Sequence, residues 1–281
     1  MRREAPEEAL ARVVAEALAE DFGDRGDITT NAIIPPGTAM TGAIRSREAG
    51  RIAGIDAVRV VLARMPEPAS ATLVSRDGAD IEAGGTVALL SGSARTLLSG
   101  ERVMLNVLGR LSGIATATAA VVRAVEGTGV AVKDTRKTTP GLRTLEKYAV
   151  AAGGGVNHRS GLYDAVLIKD NHIAVAGSIT AAVARTRSTL GTNFPIQVEV
   201  DTLAQLEEAL GSEVAAVLLD NMKPAELREA VGLVNRRCHT EASGGITLAN
   251  VRAVAETGVN SISLGWLTHS ARSLDLGLDM D

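Results

Sequence analysis

Charged side chains follow several short apolar segments in the second half of the chain, at points where strands are expected to end. In an α/β barrel the carboxyl ends of the strands meet at one face, so we expect these side chains to lie around one site. A single charge after a strand is usually a solvated loop residue, but the repetition favours a functional site. These residues are Arg136, Lys137, Lys169, Glu199 and Asp220.

The basic members of this set, together with a His-Arg pair, predict an anionic ligand. Arginine binds carboxylates and phosphates with two parallel hydrogen bonds, whereas lysine provides a compact charge. Cations that converge without a ligand would repel one another, so a polyanionic substrate is expected. The alternative is that some of them face solvent, as we expect of Arg143. The set is Arg136, Lys137, His158, Arg159 and Lys169.

The acidic members, Glu199 and Asp220, have two interpretations. Two carboxylates that face a phosphorylated sugar can hold Mg²⁺ or accept hydrogen bonds from ribose hydroxyls. Equally, they can be the ion-pair partners of the nearby lysines. The residues alone leave both interpretations open.

Two glycine segments are expected to shape the site. Ser243-Gly-Gly245 comes before a helix expected at 248–257, and glycine lets backbone amides approach a phosphate at a helix N-terminus. Gly265 follows the next predicted strand and is expected to join this phosphate site. The run Gly153-Gly-Gly155 predicts a tight turn that presents Asn157, His158 and Arg159 to one point.

The second half of the chain alternates apolar strands with amphipathic helices, which predicts a parallel sheet. About six such units without a dinucleotide-binding fingerprint favour a closed or partly closed α/β barrel over an open sheet. The predicted strands are 130–133, 165–168, 196–200, 215–219, 239–242 and 261–264, and the predicted helices include 203–210, 225–234 and 248–257.

The first half has the pattern of an α+β domain of about 110 residues with a mostly antiparallel sheet. A long helix is expected to follow it over 96–126, with Gly109 and Gly113 as bends. The predicted helices of the domain are 6–20 and 55–63, and its predicted strands are 40–46, 51–54, 71–75 and 86–91.

Composition excludes several classes of protein. The net charge of −4 argues against a broad nucleic-acid surface. The single cysteine, Cys238, rules out an intrachain disulfide and fits a reducing compartment. The N-terminal residues lack the apolar core of a signal peptide, and no apolar run reaches the ~20 residues of a membrane span. We therefore expect a cytoplasmic protein that binds neither membrane nor nucleic acid.

A set of motifs, in order and spacing, resembles the quinolinate phosphoribosyltransferases (decarboxylating), also called nicotinate-nucleotide pyrophosphorylases (carboxylating). The resemblance covers nearly the whole chain, and its most specific segments end on or contain the charged residues above. The segments are 26–30, 47–48, 133–143, 146–149, 153–159, 167–172, 198–200, 219–221, 241–246, 267–270 and 274–279.

The resemblance implies a fold and an assembly. The fold class is α/β, with an N-terminal α/β sandwich over 1–112, an incomplete α/β barrel of the seven-stranded type over 113–268, and a C-terminal segment, 269–281, that returns to the N-terminal domain. It implies a homodimer, or a hexamer built from dimers, with active sites between subunits. Trp266 departs from the small residue expected after Gly265, near the phosphate end of the site.

The resemblance also implies a reaction. Quinolinate and 5-phosphoribosyl-1-pyrophosphate would give nicotinate mononucleotide, pyrophosphate and CO₂, with Mg²⁺ as cofactor and no organic cofactor. The implied catalytic residues are Lys137, Lys169, Glu199 and Asp220, with Glu199 and Asp220 as Mg²⁺ ligands. The implied substrate-binding residues are these four together with Arg102 from the partner subunit, Arg136, His158, Arg159, Ser243, Gly244, Gly245 and Gly265.

Three alternatives remain at this stage. A related phosphoribosyltransferase would use nicotinate, although five cations suit a dicarboxylate better. An α/β-barrel lyase or aldolase would use Lys169 as a Schiff-base nucleophile. A non-catalytic protein of the same fold would bind phosphate without turnover.

Overall fold

The computed structural model describes residues 6–280; the first five residues of the segment inspected for a signal peptide, and residue 281, lie outside them. By its internal contacts the chain forms two compact units. The first combines residues 1–119, 138–154 and 266–281, and the second combines residues 120–137 and 155–265. The linear division into 1–112, 113–268 and 269–281 stays a prediction.

Helices in the described residues fall close to the predicted positions. The predicted helix at 6–20 extends to Phe22, and a short helix follows Asp27, whose side chain accepts from the backbone N–H of Thr30. The helices are α1 (Glu7–Phe22), α2 (Ile28–Ile33), α3 (Ala57–Leu62), α4 (Ala94–Ala124), α5 (Arg143–Ala152), α6 (Asp170–Ala176), α7 (Ile179–Leu190), α8 (Leu203–Gly211), α9 (Pro224–Val234), α10 (Val251–Ala255) and α11 (Trp266–His269).

Strands also match the apolar runs, and their ends shift by one or a few residues. The strands are β1 (Ala39–Ser46), β2 (Gly50–Arg51), β3 (Ala69–Leu73), β4 (Asp80–Ile81), β5 (Thr86–Ser93), β6 (Ala131–Lys133), β7 (Val166–Ile168), β8 (Ile196–Val200), β9 (Ala216–Asp220), β10 (His239–Ser243), β11 (Ser261–Ser263) and β12 (Leu276–Met280).

The first unit contains an antiparallel sheet in the order β12-β1-β5-β3. The strand predicted at 51–54 is wrong in extent, because only Gly50 and Arg51 pair, in a separate two-stranded sheet with β4. The C-terminal strand β12 pairs with β1 over Leu276–Met280, so the end of the chain completes this sheet. Leu10 and Val14 of α1 are fully buried in the core of this unit.

Helix α4 is continuous through Gly109 and Gly113, the two positions predicted as bends, and both glycines contact the C-terminal segment. A Cβ at Gly113 would collide with the carbonyl oxygen of Arg272, and one at Gly109 would lie 2.9 Å from that of Leu274. Glycine therefore allows the C-terminal segment to pack directly on the helix. By length and composition α4 is apolar enough to cross a membrane, but 67% of its most apolar window is buried, as in a core helix.

The second unit is a parallel sheet in the order β6-β11-β10-β9-β8-β7, with helices between successive strands. All five strand pairs are parallel, which confirms the incomplete α/β barrel. A single bridge joins Lys133 of β6 to Val156 and adds one residue of a further strand beside that edge. Val132, Val198 and Leu219 are buried and alternate with the cavity-facing residues of their strands, so they face the surrounding helices.

Candidate active site

One cavity of about 310 Å³ in the second unit collects most of the residues expected to act. They come from alternate positions of neighbouring strands, because residues i and i+2 of a strand face the same side. Leu218 and Asp220 on β9, and Glu241 and Ser243 on β10, are two such pairs. The lining residues are Thr135, Arg136, Lys137, His158, Arg159, Leu167, Lys169, Glu199, Leu218, Asp220, Glu241, Ser243 and Ser263.

Two guanidinium groups occupy the same region of this cavity. Burial lowers the pKa of Arg159, the charge of Arg136 lowers it further, and Asp164 opposes the change. The Arg159 side chain is fixed by a hydrogen bond from Nη1 to the carbonyl oxygen of Ala165, at 3.1 Å. Two positive charges held close together favour an anion between them.

The two acidic residues are held in different ways. Lys169 Nζ lies 2.9 Å from Glu199 Oε2, so the ion-pair interpretation describes Glu199 in this structure. The Asp220 carboxylate accepts instead from Asn221 Nδ2 at 2.7 Å. Because both carboxylates line the cavity, either can turn toward a bound substrate.

The floor of the cavity contains a fully buried carboxylate, Glu241. Its Oε2 accepts from Lys133 Nζ at 2.8 Å, Gln197 Nε2 at 3.3 Å and Ser261 Oγ at 3.4 Å. Burial raises the pKa of Glu241, but the close contacts with His158 and Lys133 outweigh this and lower it to about 2. The group is therefore ionised at neutral pH.

His158 connects this carboxylate to the arginine pair. Its Nδ1 accepts from the backbone N–H of Arg159 at 2.8 Å, and its Nε2 lies 3.2 Å from Glu241 Oε1. A nitrogen that accepts cannot carry the proton, so in the neutral ring the proton is on Nε2, the nitrogen that faces Glu241 Oε1. The buried Asp134 accepts from the backbone N–H of His158 and fixes the start of this segment.

The glycine run before His158 has two separate functions in the fold. Gly154 has a φ of +95°, which favours glycine. At Gly153 a Cβ would lie 2.6 Å from the carbonyl oxygen of Ala115, so this residue allows close packing on α4. The turn places His158 and Arg159 at the cavity, whereas Asn157 is exposed and does not line it.

The predicted phosphate turn differs from expectation in one respect. Gly244 and Gly245 have φ values of +84° and +62°, and a Cβ at Gly244 would collide with the Asn221 side chain. The helix predicted from 248 begins only at Val251 and has five residues, so no helix N-terminus adjoins the turn. Ser243 lines the cavity, while Gly244, Gly245 and Gly265 do not.

Three further residues lie apart from the cavity lining. Arg102 is exposed on α4 in the first compact unit. Trp266 begins α11 in that unit and lines a different cavity, with Gly113. Arg143 is half-buried, and its Nε donates to Thr138 Oγ1 at 2.9 Å, so the expectation that it faces solvent is wrong.

Few side chains in the described part of the chain could bind a metal ion. Among residues 6–280 there is no group of three or more His, Cys, Asp or Glu side chains that could hold a metal. Glu199 and Asp220 alone fit the way Mg²⁺ is commonly bound, through one or two carboxylates with water and substrate phosphates as the other ligands. The residues present are thus compatible with a metal that enters with a phosphorylated substrate.

Comparison with known protein families decides the assignment. Residues 27–112 match the quinolinate phosphoribosyl transferase N-terminal domain, and residues 114–279 match the C-terminal domain of the same family. This chain belongs to the quinolinate phosphoribosyltransferase family. The two matches are consecutive and span both halves of the chain.

Related proteins align with this chain over almost its full length. The chain is 45% identical to the nicotinate-nucleotide pyrophosphorylase [carboxylating] of Mycobacterium leprae, over 97% of this chain and 98% of that protein. It is 44% identical to the probable nicotinate-nucleotide pyrophosphorylase [carboxylating] of Bacillus subtilis, over 96% and 93%. The crystal structure of the nicotinate-nucleotide pyrophosphorylase from Ehrlichia chaffeensis superposes with a TM-score of 0.93 at 43% identity, covering 96% of this chain and 98% of that one.

Sequence reasoning missed five residues that line the cavity, of which Glu241 is the only charged one, and it missed Asn221 beside Asp220. Glu241 lies within the matching segment 241–246 but had no assigned role; its alternation with Ser243 places it on the cavity side of β10. Asn221, with a φ of +57°, orients Asp220 and fits against Gly244. An Asn after a strand-ending Asp is a signal for a left-handed turn residue.

Proposed function

We propose that this protein transfers the phosphoribosyl group of 5-phosphoribosyl-1-pyrophosphate to quinolinate, releasing pyrophosphate and CO₂. The product, nicotinate mononucleotide, is a precursor of NAD. The observation that carries the proposal is one cavity in which four cationic side chains converge with three carboxylates. The names of the Mycobacterium leprae and Bacillus subtilis relatives describe the same activity.

The cationic side chains account for the pyridine dicarboxylate. Arg136 and Arg159 provide planar donors for two carboxylates held close together on one ring. Lys169 and Lys137 add charge from neighbouring elements of the cavity. Because Arg136 lowers the pKa of Arg159, binding of a dianion relieves an existing repulsion.

The carboxylates account for the ribosyl half of the reaction. Departure of pyrophosphate leaves positive charge at the anomeric carbon, which Asp220 and Glu199 stabilise or position through the ribose hydroxyls. Mg²⁺ held by these two residues and the pyrophosphate would supply positive charge that stabilises the negative charge on the departing pyrophosphate. Lys137, exposed at the rim of the cavity, is suited to the same leaving group.

The 5-phosphate is assigned to the end of β10 and β11. Ser243 lines the cavity beside Asp220, with which it pairs in register. Gly244 and Gly245 then turn the backbone in conformations that suit close approach of an anion. Gly265 is assigned here by its position two residues after β11.

The same bound ring explains the loss of CO₂. Once the ring nitrogen is joined to the ribosyl carbon it is cationic. The carbon–carbon bond to the adjacent carboxylate then breaks, its electron pair stays on the ring carbon next to the positive nitrogen, and that carbon takes up a proton.

The structure disfavours the Schiff-base alternative. A Schiff-base lysine must react as the neutral amine. The Lys169 side chain is 46% exposed and forms an ion pair with Glu199 at 2.9 Å, so its nitrogen is engaged as an ion-pair partner. Trapping of a carbonyl substrate on Lys169 by borohydride would support that alternative.

The assembly and location are further parts of the proposal. We assign Arg102 to the active site of a partner subunit in a homodimer, or in a hexamer of dimers, because it is exposed on α4 and outside the cavity lining of its own chain. Leu162, Tyr163 and Val175 are exposed apolar residues of the second unit and are suited to a subunit interface. We also propose a cytoplasmic location.

Substrate selection tests the proposal. Purified protein with phosphoribosyl pyrophosphate and Mg²⁺ should convert quinolinate to nicotinate mononucleotide and CO₂, and should leave nicotinate unchanged. Product is measured by liquid chromatography. Equal turnover of nicotinate would contradict the proposal, since the second carboxylate would then need no counter-charge, and binding of both substrates without product would indicate a non-catalytic protein.

A further inference from the structure

Glu241 has a place in the cavity that the proposed reaction does not yet use. It is on β10, two residues before Ser243 and on the same face of the strand. At about 3.3 Å per residue, this puts its carboxylate roughly 7 Å deeper than the strand end. The register places it beside Ser261 of β11 and Leu218 of β9, in the centre of the sheet.

The two oxygens of Glu241 have different partners. Oε2 accepts from Lys133 Nζ, Gln197 Nε2 and Ser261 Oγ, at 2.8, 3.3 and 3.4 Å. Oε1 lies 3.2 Å from His158 Nε2. The crowded oxygen fixes the carboxylate in the floor, and the other oxygen is directed at the histidine.

From His158 the contacts continue to the anion-binding arginine. The ring accepts from the backbone N–H of Arg159 at 2.8 Å, which requires the proton on the other ring nitrogen. The Arg159 side chain lines the cavity and is anchored to the carbonyl oxygen of Ala165. The buried carboxylate of Glu241 thus holds three groups in one orientation: the His158 ring, the Arg159 backbone and the Arg159 side chain.

We propose that Glu241 is a positioning residue for the dicarboxylate substrate: the negative charge of its Oε1, 3.2 Å from His158 Nε2, fixes the ring tautomer, and through the ring it fixes the backbone of Arg159. The inference rests on the proposed function, because it assigns Arg159 to quinolinate. Glu241 itself touches no substrate. Its effect is on the quinolinate side of the cavity and not on the phosphoribosyl side, which Asp220 and Ser243 occupy.

Replacement of Glu241 by Gln shows why the carboxylate is needed. The amide oxygen would remain with Lys133, which leaves the amide NH₂ facing the N–H of His158, donor against donor. A change of tautomer would remove that conflict but would protonate the nitrogen that accepts from Arg159. In either case one of the contacts that join residue 241, His158 and Arg159 is lost.

The test is steady-state kinetics of Glu241→Gln with each substrate varied in turn. We expect the KM for quinolinate to rise by about tenfold or more, as for loss of one charge-assisted hydrogen bond, and the KM for phosphoribosyl pyrophosphate to change by less than about twofold. His158→Asn should give the same pattern, and the double variant should be no worse than the poorer single variant, because both act through one contact.

Ser261→Ala is the matched control. It removes a donor to Oε2 and leaves the contact between Oε1 and His158 intact. For this variant, the ratio of the KM for quinolinate to the KM for phosphoribosyl pyrophosphate should equal that of the unaltered protein. If Glu241→Gln does not fold, Glu241→Asp keeps the charge beside Lys133 but withdraws the oxygen from His158, and the same selective rise is expected.

Two other outcomes would overturn the inference. A parallel change of both KM values, or additive effects of Glu241→Gln and His158→Asn, would mean that the carboxylate only holds the barrel together. Failure of the proposed function is recognised separately, because the unaltered protein would then form no nicotinate mononucleotide from quinolinate.

Discussion

At the scale of single residues, the cavity combines cations and carboxylates so that each is held by a neighbour before any substrate binds. Lys169 is paired with Glu199, and Asp220 is oriented by Asn221. Asp220 contacts a neutral amide, whereas Glu199 is paired with a lysine. Asp220 is therefore ready to interact with the positive charge that develops on the ribosyl carbon.

The residue-scale prediction is that Asp220→Asn lowers kcat by about 10²–10³-fold, the range for loss of one stabilising group in a transition state. The KM for quinolinate should change little, because the proposed partner of Asp220 is the ribosyl half. Initial rates at saturating Mg²⁺ measure both constants.

Asp201→Asn is the control for this prediction. Asp201 is an exposed carboxylate at the end of β8 and does not line the cavity. Its replacement should leave kcat unchanged. A normal rate for Asp220→Asn would show that Asp220 has only a structural role.

At the scale of elements, the site depends on where strands stop and how the chain turns there. Asn221 after β9 and Gly244 after β10 are packed against each other, since the backbone N–H of Asn221 donates to the carbonyl oxygen of Ser243 at 2.9 Å. Both have positive φ, so the two turns form one rigid feature. This feature holds Asp220 and Ser243 at the same edge of the sheet.

The element-scale prediction compares Gly244→Ala with Gly245→Ala. A non-glycine residue with left-handed φ costs about 1–2 kcal/mol, and both variants meet this cost. Only Gly244→Ala adds a collision with Asn221, whereas nothing lies within 4 Å of a Cβ at Gly245. Gly244→Ala should therefore have the lower melting temperature and the larger rise in KM for phosphoribosyl pyrophosphate.

Thermal unfolding and initial rates of the two variants test this. Equal destabilisation would mean that Asn221 moves aside freely and that the two turns are independent.

At the scale of the whole molecule, the cavity is formed entirely by residues of the second compact unit. Arg102 belongs to the first unit and is exposed. The family resemblance implies that it acts in the site of a partner subunit, and a symmetric dimer would then contain two equivalent shared sites.

Mixed dimers test this arrangement. Arg102→Ala and Lys137→Ala should each be nearly inactive alone, but a heterodimer of the two would contain one site that lacks both side chains and one intact site. Statistical mixing should restore about one quarter of the activity per active site, and tandem-tagged heterodimers about one half. Formation of nicotinate mononucleotide is the measurement. Heterodimers verified by mass spectrometry that are no more active than the parents would place Arg102 outside the partner's site.

The sequence by itself determined the order of elements and the identity of most cavity residues. Apolar runs that end in charged residues are a local signal, and parallel strands bring their carboxyl ends to one edge. Eight residues expected from this signal and from the two glycine segments line the cavity: Arg136, Lys137, His158, Arg159, Lys169, Glu199, Asp220 and Ser243.

Tertiary structure decided which of these groups are paired and what lies beneath them. The contact of Glu241 with Lys133 joins residues that are 108 positions apart, so local spacing could not show it. Gly109 and Gly113 have the pattern of helix bends. The structure shows that glycine is needed there because the C-terminal segment packs directly on the helix at both positions. Such contacts depend on strand register and on packing between distant segments, and these are properties of the assembled sheet and core rather than of any window of sequence.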